Sequence, residues 1–314
     1  MKKIVFTLLL TLFAVVIRAQ ESQTEYNFLR LPVSAHAAAL GGENITIIED
    51  DPSLMFSNPA LASSVSDKTV GLSYMNYMRG AHYMGASYTK ALGEKATLAG
   101  GVRYMNYGKM KEVDANNVQT GTFNASEIAV EGIFSYELAR NLVGGITAKF
   151  ITSYIGNYNS MAVGVDLGLN WFEPERQWSV SLVAKNLGGQ IKAYEEEYGK
   201  MPIDVQVGVS KTFAALPVRV SATLVDLTHY DYRFINHLNL GAEVLLSESI
   251  WVGGGYNFRK ADEMTIGKDE NASAHGAGYS VGAGINLEQF KLNLAYGKYH
   301  AASNSILVNL AYSF

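Results

Sequence analysis

Alternation dominates the chain. From about Thr69 to Phe314, apolar residues recur at every second position, the period of a strand with one face in an apolar medium. Ile128, Val130, Gly132, Phe134, Tyr136 and Leu138 share one face, with Ala129, Glu131, Ser135 and Glu137 on the other. Met161, Val163, Val165, Leu167, Leu169 and Trp171 alternate with Ala162, Gly164, Asp166, Gly168 and Asn170. Residues 203–210 and 238–246 repeat the scheme. The pattern predicts strands near 69–78, 80–91, 94–108, 123–138, 141–155, 157–172 and 176–187. It predicts seven more near 203–214, 216–228, 236–247, 249–260, 277–287, 290–300 and 303–314. The total is even, as a bacterial outer-membrane barrel requires.

The connections sort by parity. Those after strands 2, 4, 6, 8, 10 and 12 are tight, around Gly93, Asn141, Pro174, Leu216, Ser247 and Glu288. Those after strands 3, 7, 9 and 11 are long, spanning roughly 109–122, 188–202, 229–235 and 261–276. Short turns at one end and long loops at the other are how outer-membrane barrels divide periplasm from exterior; a soluble sandwich has no reason to sort loops in this way. The last strand carries Ile306, Val308, Leu310, Tyr312 and Phe314 on one face and ends on the aromatic. Tyr312 and Phe314 thus resemble the terminal signal read by outer-membrane assembly machinery. Tyr74, Tyr77, Tyr104, Tyr107, Trp171, Trp178 and Trp251 lie near strand ends and suit interfacial aromatic girdles.

Two segments precede the alternating region. Met1-Lys2-Lys3, an apolar run from Ile4 to Ile17 and then Arg18-Ala19 read as a secretory signal peptide over 1–19. About 14 apolar residues fall short of the roughly 20 that span a bilayer as a helix, and no Cys follows to carry a lipid. Residues 20–68 do not alternate. They read as turns and short helices, with Asp51-Pro52 and Asn58-Pro59 as cap-and-proline starts. Their apolar content (Phe28, Leu31, Ile45, Ile47, Leu54, Phe56) argues against a floppy leader. Fourteen strands enclose a lumen wider than wall side chains fill, so this segment is expected to plug it. The expected fold is therefore an all-β, 14-stranded antiparallel transmembrane β-barrel over 69–314 with an N-terminal plug, or hatch, over 20–68.

Composition agrees. The chain has 314 residues, 48% hydrophobic and 17% charged, with 30 Gly, 19 Tyr and no Cys. This excludes disorder, a disulfide scaffold and thiolate chemistry. Removal of Lys2, Lys3 and Arg18 leaves 22 basic against 29 acidic residues, a net charge of −7, with no basic footprint for nucleic acid.

A hatch containing Asn58-Pro59-Ala60 ahead of fourteen strands resembles the FadL family of outer-membrane transporters. The longer runs Phe28–Asn44 and Asp50–Leu61, the latter including Asp51-Pro52, are similar to the PorV/PorQ branch of that family in Bacteroidetes. The resemblance implies a non-enzymatic outer-membrane component of the type IX secretion system. Its expected partners are the surface protein PorZ, together with PorU and PorV, which process cargo and attach it to lipopolysaccharide. Outer-membrane lipid and lipopolysaccharide would surround it. A FadL-type transporter of hydrophobic solutes is the alternative.

Catalytic readings fail on context. Ser87-Tyr88-Thr89-Lys90 matches Ser-x-x-Lys but lies in an alternating strand rather than at a helix start. Gly253-Gly254-Gly255 and Gly276-Ala277-Gly278 suggest a phosphate cradle, but the pattern predicts no strand, glycine loop and helix in that order. The six histidines show no metal-ligand spacing, and His36 reads as a packing residue of the hatch. No cofactor is expected. Glu131, Lys149, Asp166 and Lys185 fall on the lumen face, where burial demands that they pair with the hatch or with each other. Tyr194 and Tyr198 in one long loop, with Tyr230, Tyr232 and Phe234 in another, form aromatic clusters of the kind enriched at interfaces. They fit either a docking platform for an extracellular protein or aromatics at the membrane boundary.

Overall fold

In the computed structural model, residues 24–78, 80–213, 216–247, 249–264, 276–300 and 303–314 are described. The expected signal peptide, and most of the expected loop over 261–276, lie outside them. The described residues form one closed barrel of fourteen antiparallel strands. The first seven are β1 (Thr69–Met78), β2 (Ala81–Leu92), β3 (Ala96–Val113), β4 (Gln119–Ala139), β5 (Leu142–Ile155), β6 (Tyr158–Glu173) and β7 (Trp178–Lys192). The rest are β8 (Asp204–Phe213), β9 (Val218–Leu224), β10 (Leu238–Ser247), β11 (Ile250–Asn257), β12 (Tyr279–Asn286), β13 (Phe290–His300) and β14 (Ser303–Ser313). Each strand pairs with its chain neighbours, and the ring closes where Thr69 to Asn76 of β1 face Ser313 to Ile306 of β14.

The strands follow the alternation, and so does the parity of their connections. Tight turns use left-handed backbone where the chain reverses most sharply, at Gly93 (φ 73°) and Asn141 (φ 65°). One long loop is shorter than expected. β3 and β4 run on to Val113 and Gln119 as an extended hairpin, because the two strands keep pairing beyond Asn106 across a bulge. The wall is therefore uneven: β4 has 21 residues, whereas β9 has seven and β11 and β12 have eight each.

The hydrophobic face points outward. Leu72, Val102, Val130, Val163 and Leu310 are among its exposed members, in a belt that continues around the ring. Monomeric soluble proteins rarely expose apolar patches beyond a few hundred Å², so the belt defines a lipid-facing surface. The inward face is polar and buried, with Ser87, Thr89, Ser135, Thr147 and Asn170 among its residues. Three expected girdle residues belong to this inner face instead. Tyr77 packs against the interior cluster, Tyr107 donates its hydroxyl to Glu127 Oε2 (2.5 Å), and Trp251 is 2% exposed. Their own strand parity decides this: Ile250 and Val252, which flank Trp251, both face lipid.

Residues 24–68 fold inside the ring. α1 (Ala35–Ala39) starts on Ser34, whose hydroxyl accepts from the Ala37 amide. Two 3₁₀ turns follow, Pro52–Phe56 and Pro59–Ser64, capped by Asp51 and Asn58 side chains that accept from the Ser53 and Ala60 amides. Proline at each first position sets φ where no amide is needed. Phe28, Leu29, Ile45, Ile47, Leu54 and Met55 are all buried. The Asn58-Pro59 turn lies flat on the wall at Gly145 and Gly168: a Cβ on Gly168 would stand 2.1 Å from Asn58 Oδ1, and one on Gly145 2.3 Å from the Pro59 carbonyl carbon.

Those two glycines are therefore sites of obligatory close approach. Gly168→Val is expected to unseat the turn and lower stability by about 1–3 kcal/mol, read as the temperature at which the folded band is lost on a heat-modifiability gel. Gly132→Val, whose Cβ would meet nothing within 4 Å, serves as the neutral comparison; equal behaviour of the two variants would contradict the seating argument.

Candidate functional site

Hatch and wall are matched in charge and in backbone hydrogen bonding. The hatch is acidic over 43–51, and three strands meet it. Lys185 of β7 pairs with Glu43 (3.4 Å), Arg219 of β9 pairs with Glu49, and Lys291 of β13 pairs with Asp50 (2.5 Å). Asn293 of β13 donates to Asp51 (3.1 Å). Hatch backbone is satisfied by wall side chains as well. Asn309 of β14 donates to the Val33 carbonyl (2.8 Å) and accepts from the Ala35 amide. Ser280 of β12 donates to the Ala39 carbonyl (2.8 Å) and accepts from the Gly41 amide (3.0 Å). Buried peptide groups need such partners, and here the barrel supplies them. Further lumen charges pair within the wall: Arg103 with Glu131, and Lys149 with Asp166 (2.6 Å).

One cluster stands out. His36 is fully buried, with Nε2 2.5 Å from Glu243 Oε2 and Nδ1 3.2 Å from Glu49 Oε2. Arg219 bridges both carboxylates, Nε to Glu243 and an Nη to Glu49. The imidazole stacks on Trp251 with centroids 3.7 Å apart and planes 5° from parallel. Burial alone would push the His36 pKa down, but the two carboxylates outweigh it and raise it to about 9. His36 is therefore an imidazolium at neutral pH. Burial works against Glu49 ionising too, yet His36 and Arg219 hold its carboxyl well below the usual range. Two cations and two anions make a neutral quartet.

Sequence spacing hid this site, because Glu243 lies far along the chain from His36. The ligand-type atoms of His36, Glu49 and Glu243 lie within 4.8 Å of one another, a grouping able in principle to hold a metal ion. Arg219 already neutralises both carboxylates, and both imidazole nitrogens face carboxylates. The chemistry of the set fits an ion-pair lock.

A second feature lies at the long-loop end. Asp226 is 1% exposed and gathers three segments: Arg30 of the hatch (2.5 Å), Arg259 of α2 (Phe258–Glu263), and His229 of its own loop (3.8 Å). Asp262 of α2 holds Asn236 (2.8 Å) and Arg233 (3.3 Å). The loop over 225–237 is thus tied to α2 and to the hatch. Of the five expected docking aromatics, three are free-standing: Tyr198, Tyr230 and Phe234 are 64%, 67% and 70% exposed. Tyr194 donates to Ser153 Oγ (2.5 Å), and Tyr232 stacks on His229 at 5.2 Å, so both belong to the loop framework. Tyr312 and Phe314 pack edge to face on the outer wall at the short-turn end.

A closed barrel with a lipid-facing belt and a charge-filled interior defines an outer-membrane protein. The crystal structure of a Pseudomonas aeruginosa FadL homologue matches it with a TM-score of 0.55 over 90% of this chain and 98% of that one, at 10% identity. The Pseudomonas putida toluene transporter TodX matches at 0.56 over 88% and 97%, with 12% identity. The monoaromatic hydrocarbon channel CymD matches at 0.54 over 90% and 97%, with 13% identity. At such identities the likeness is one of fold. Residues 64–309 match the family described as type IX secretion system membrane protein PorP/SprF, and the chain belongs to that family. No curated protein matches it. The family is one of secretion-system membrane proteins, and the fold is that of an outer-membrane barrel.

The quartet sets a pH window. His36 is raised from 6.5 to about 9, so its contribution is complete below about pH 6.5 and lost as pH rises through 9. Glu49 is lowered from 4.5, so its contribution is present above that value and lost on acidification. Thermal unfolding in detergent should therefore show stability highest between the acid limb and about pH 6.5 and falling from there to about pH 9. His36→Leu is expected to remove that alkaline step and to cost about 3–5 kcal/mol by leaving Glu243 and Glu49 undercompensated. An unchanged alkaline limb in the variant would contradict the assignment.

Proposed function

We propose that this barrel is the PorQ member of the PorV/PorQ branch and anchors the cell-surface attachment complex of the type IX secretion system at the outer membrane, without enzymatic activity of its own. It reaches the membrane after cleavage of the leader over 1–19. Tyr312 and Phe314 serve as the terminal assembly signal. Membership of the PorP/SprF family ties the protein to other components of the secretion system. The finer assignment is supported by the hatch run over 28–61, with Asp51-Pro52 and Asn58-Pro59-Ala60 at its capped turns.

The observation that supports the anchoring role is the combination of a hatch pinned to the wall by paired charges with a loop tied to hatch and helix. An interior pinned through Lys185, Arg219 and Lys291 is suited to holding a shape. A loop fixed by Asp226 and Asp262 presents Tyr230 and Phe234 with little ordering cost on binding. Tyr198 extends the same aromatic surface. The partner is a surface protein of the PorZ kind, through which PorU and PorV act on cargo and lipopolysaccharide.

A transporter of hydrophobic solutes is the second reading, favoured by one irregularity. At Asn186 (φ 59°) β7 bulges against β6, and beyond Lys185 it has no β8 partner. Asn186 instead donates to the Pro202 carbonyl (2.9 Å), with Met201 buried beside the gap. A solute path would need 201–203 to move.

The two readings separate in one experiment. The triple variant Tyr198→Ser, Tyr230→Ser and Phe234→Ser should fold as the parent by heat modifiability but lose co-purification of the surface partner by at least about tenfold. Undiminished partner recovery, together with a fatty molecule bound to the purified barrel, would favour transport.

A further inference from the structure

The outer wall carries a groove of about 700 Å³ across β8–β12. Its floor is made of small outward residues on adjacent strands: Ala222 on β9, Ala242 on β10 and Gly254 on β11. Register explains it. Lys211 faces Val220, Val220 faces Ala242, and Ala242 faces Gly254, so one cross-strand row drops in height between taller neighbours such as Phe213, Leu240 and Tyr256. The lining is apolar apart from serines and one charge. That charge is Lys211, at the end of the groove nearest the short turns. No carboxylate lines the groove.

The Lys211 head group sits among aromatic rings. Its Nζ lies 4.8 Å from the Trp178 ring centroid and 5.9 Å from that of Phe213. It donates to the Arg176 carbonyl (2.8 Å) and, among the described residues, makes no ion pair. An ammonium has three donors, and this one bond uses one of them. A lysine on the lipid face of a barrel is tolerated only where its head reaches the interface or meets an anion.

We propose that this groove is a binding site for one phospholipid of the leaflet at the short-turn end, with an acyl chain over Ala222, Ala242 and Gly254 and its phosphate on Lys211 Nζ. Charge complementarity selects the occupant: an apolar trough with a single aromatic-caged cation at its membrane-interface end matches a lipid tail and phosphate. The low wall favours it too. β9, β11 and β12, with seven, eight and eight residues, are shorter than the about nine to eleven that cross a bilayer, and a held lipid relieves that mismatch. A second outward groove over β4–β7, of about 410 Å³, has no charged lining residue and so has no headgroup anchor.

The test is native mass spectrometry of the delipidated full-length protein, titrated with dioleoyl-phosphatidylglycerol or with diolein, which lacks the phosphate. The parent should retain one phosphatidylglycerol under activation that strips other lipid, and should retain diolein far less. Lys211→Ala should weaken retention by about tenfold, the loss expected for one charge-assisted contact, and Lys211→Arg should restore it. Ala242→Phe should abolish binding by filling the trough, while Ala184→Phe in the second groove should leave it intact. Equal retention by Lys211→Ala and parent, or of diolein and phosphatidylglycerol, would overturn the proposal. Should Ala242→Phe fail to fold on a heat-modifiability gel, the Lys211 pair decides alone.

Discussion

The pairing of β1 with β14 is the constraint on which the rest depends. A sheet in hydrocarbon cannot leave an edge of unpaired amides and carbonyls, because each would cost several kcal/mol with no water to satisfy it. Closure between Thr69 and Ser313 removes the edge. Once closed, the period-two pattern has one arrangement: the large apolar face must meet lipid, and the small and charged face must line the interior. That assignment decides where each buried charge lies and which partners it can find.

Closure also creates the problem the hatch solves. A ring of fourteen strands leaves space that wall side chains do not fill, and ions facing an unfilled low-dielectric space are costly. The hatch answers with acidic residues where the wall is basic. Glu43, Glu49 and Asp50 each meet a different strand, and the His36 quartet adds two cations to two anions around Trp251. Glycines at 145 and 168 let the capped turns approach the wall at backbone distance. Shape and charge are therefore solved together. The loop platform extends the same logic outward, since Asp226 fastens hatch, loop and α2 to one buried carboxylate.

Much of this was legible in the chain. Strand positions, loop parity, the outward face and the compact N-terminal segment follow from local pattern, because a period of two and a proline after a capping residue are properties of neighbouring residues. Glu131, Lys149, Asp166 and Lys185 were placed on the lumen face by the same rule. What local pattern could not supply was the identity of the partners. Glu43 meets Lys185, and Glu49 meets Arg219, only because closure brings distant parts of the chain across one lumen.

Trp251 shows the boundary between the two kinds of information. Its strand parity points inward, yet its residue type and position near a strand end suggest a membrane girdle; the structure sides with parity, because the imidazolium of His36 offers it a stacked cation. Tyr194 and Tyr232 show it again, since exposure in a loop depends on what the loop folds against. Side-chain alternation alone dictates the barrel and the orientation of its faces. Which charges neutralise which, which aromatics remain free and where the outer wall is hollow follow from register and from contacts between segments far apart in the chain, and so emerge only in the folded protein.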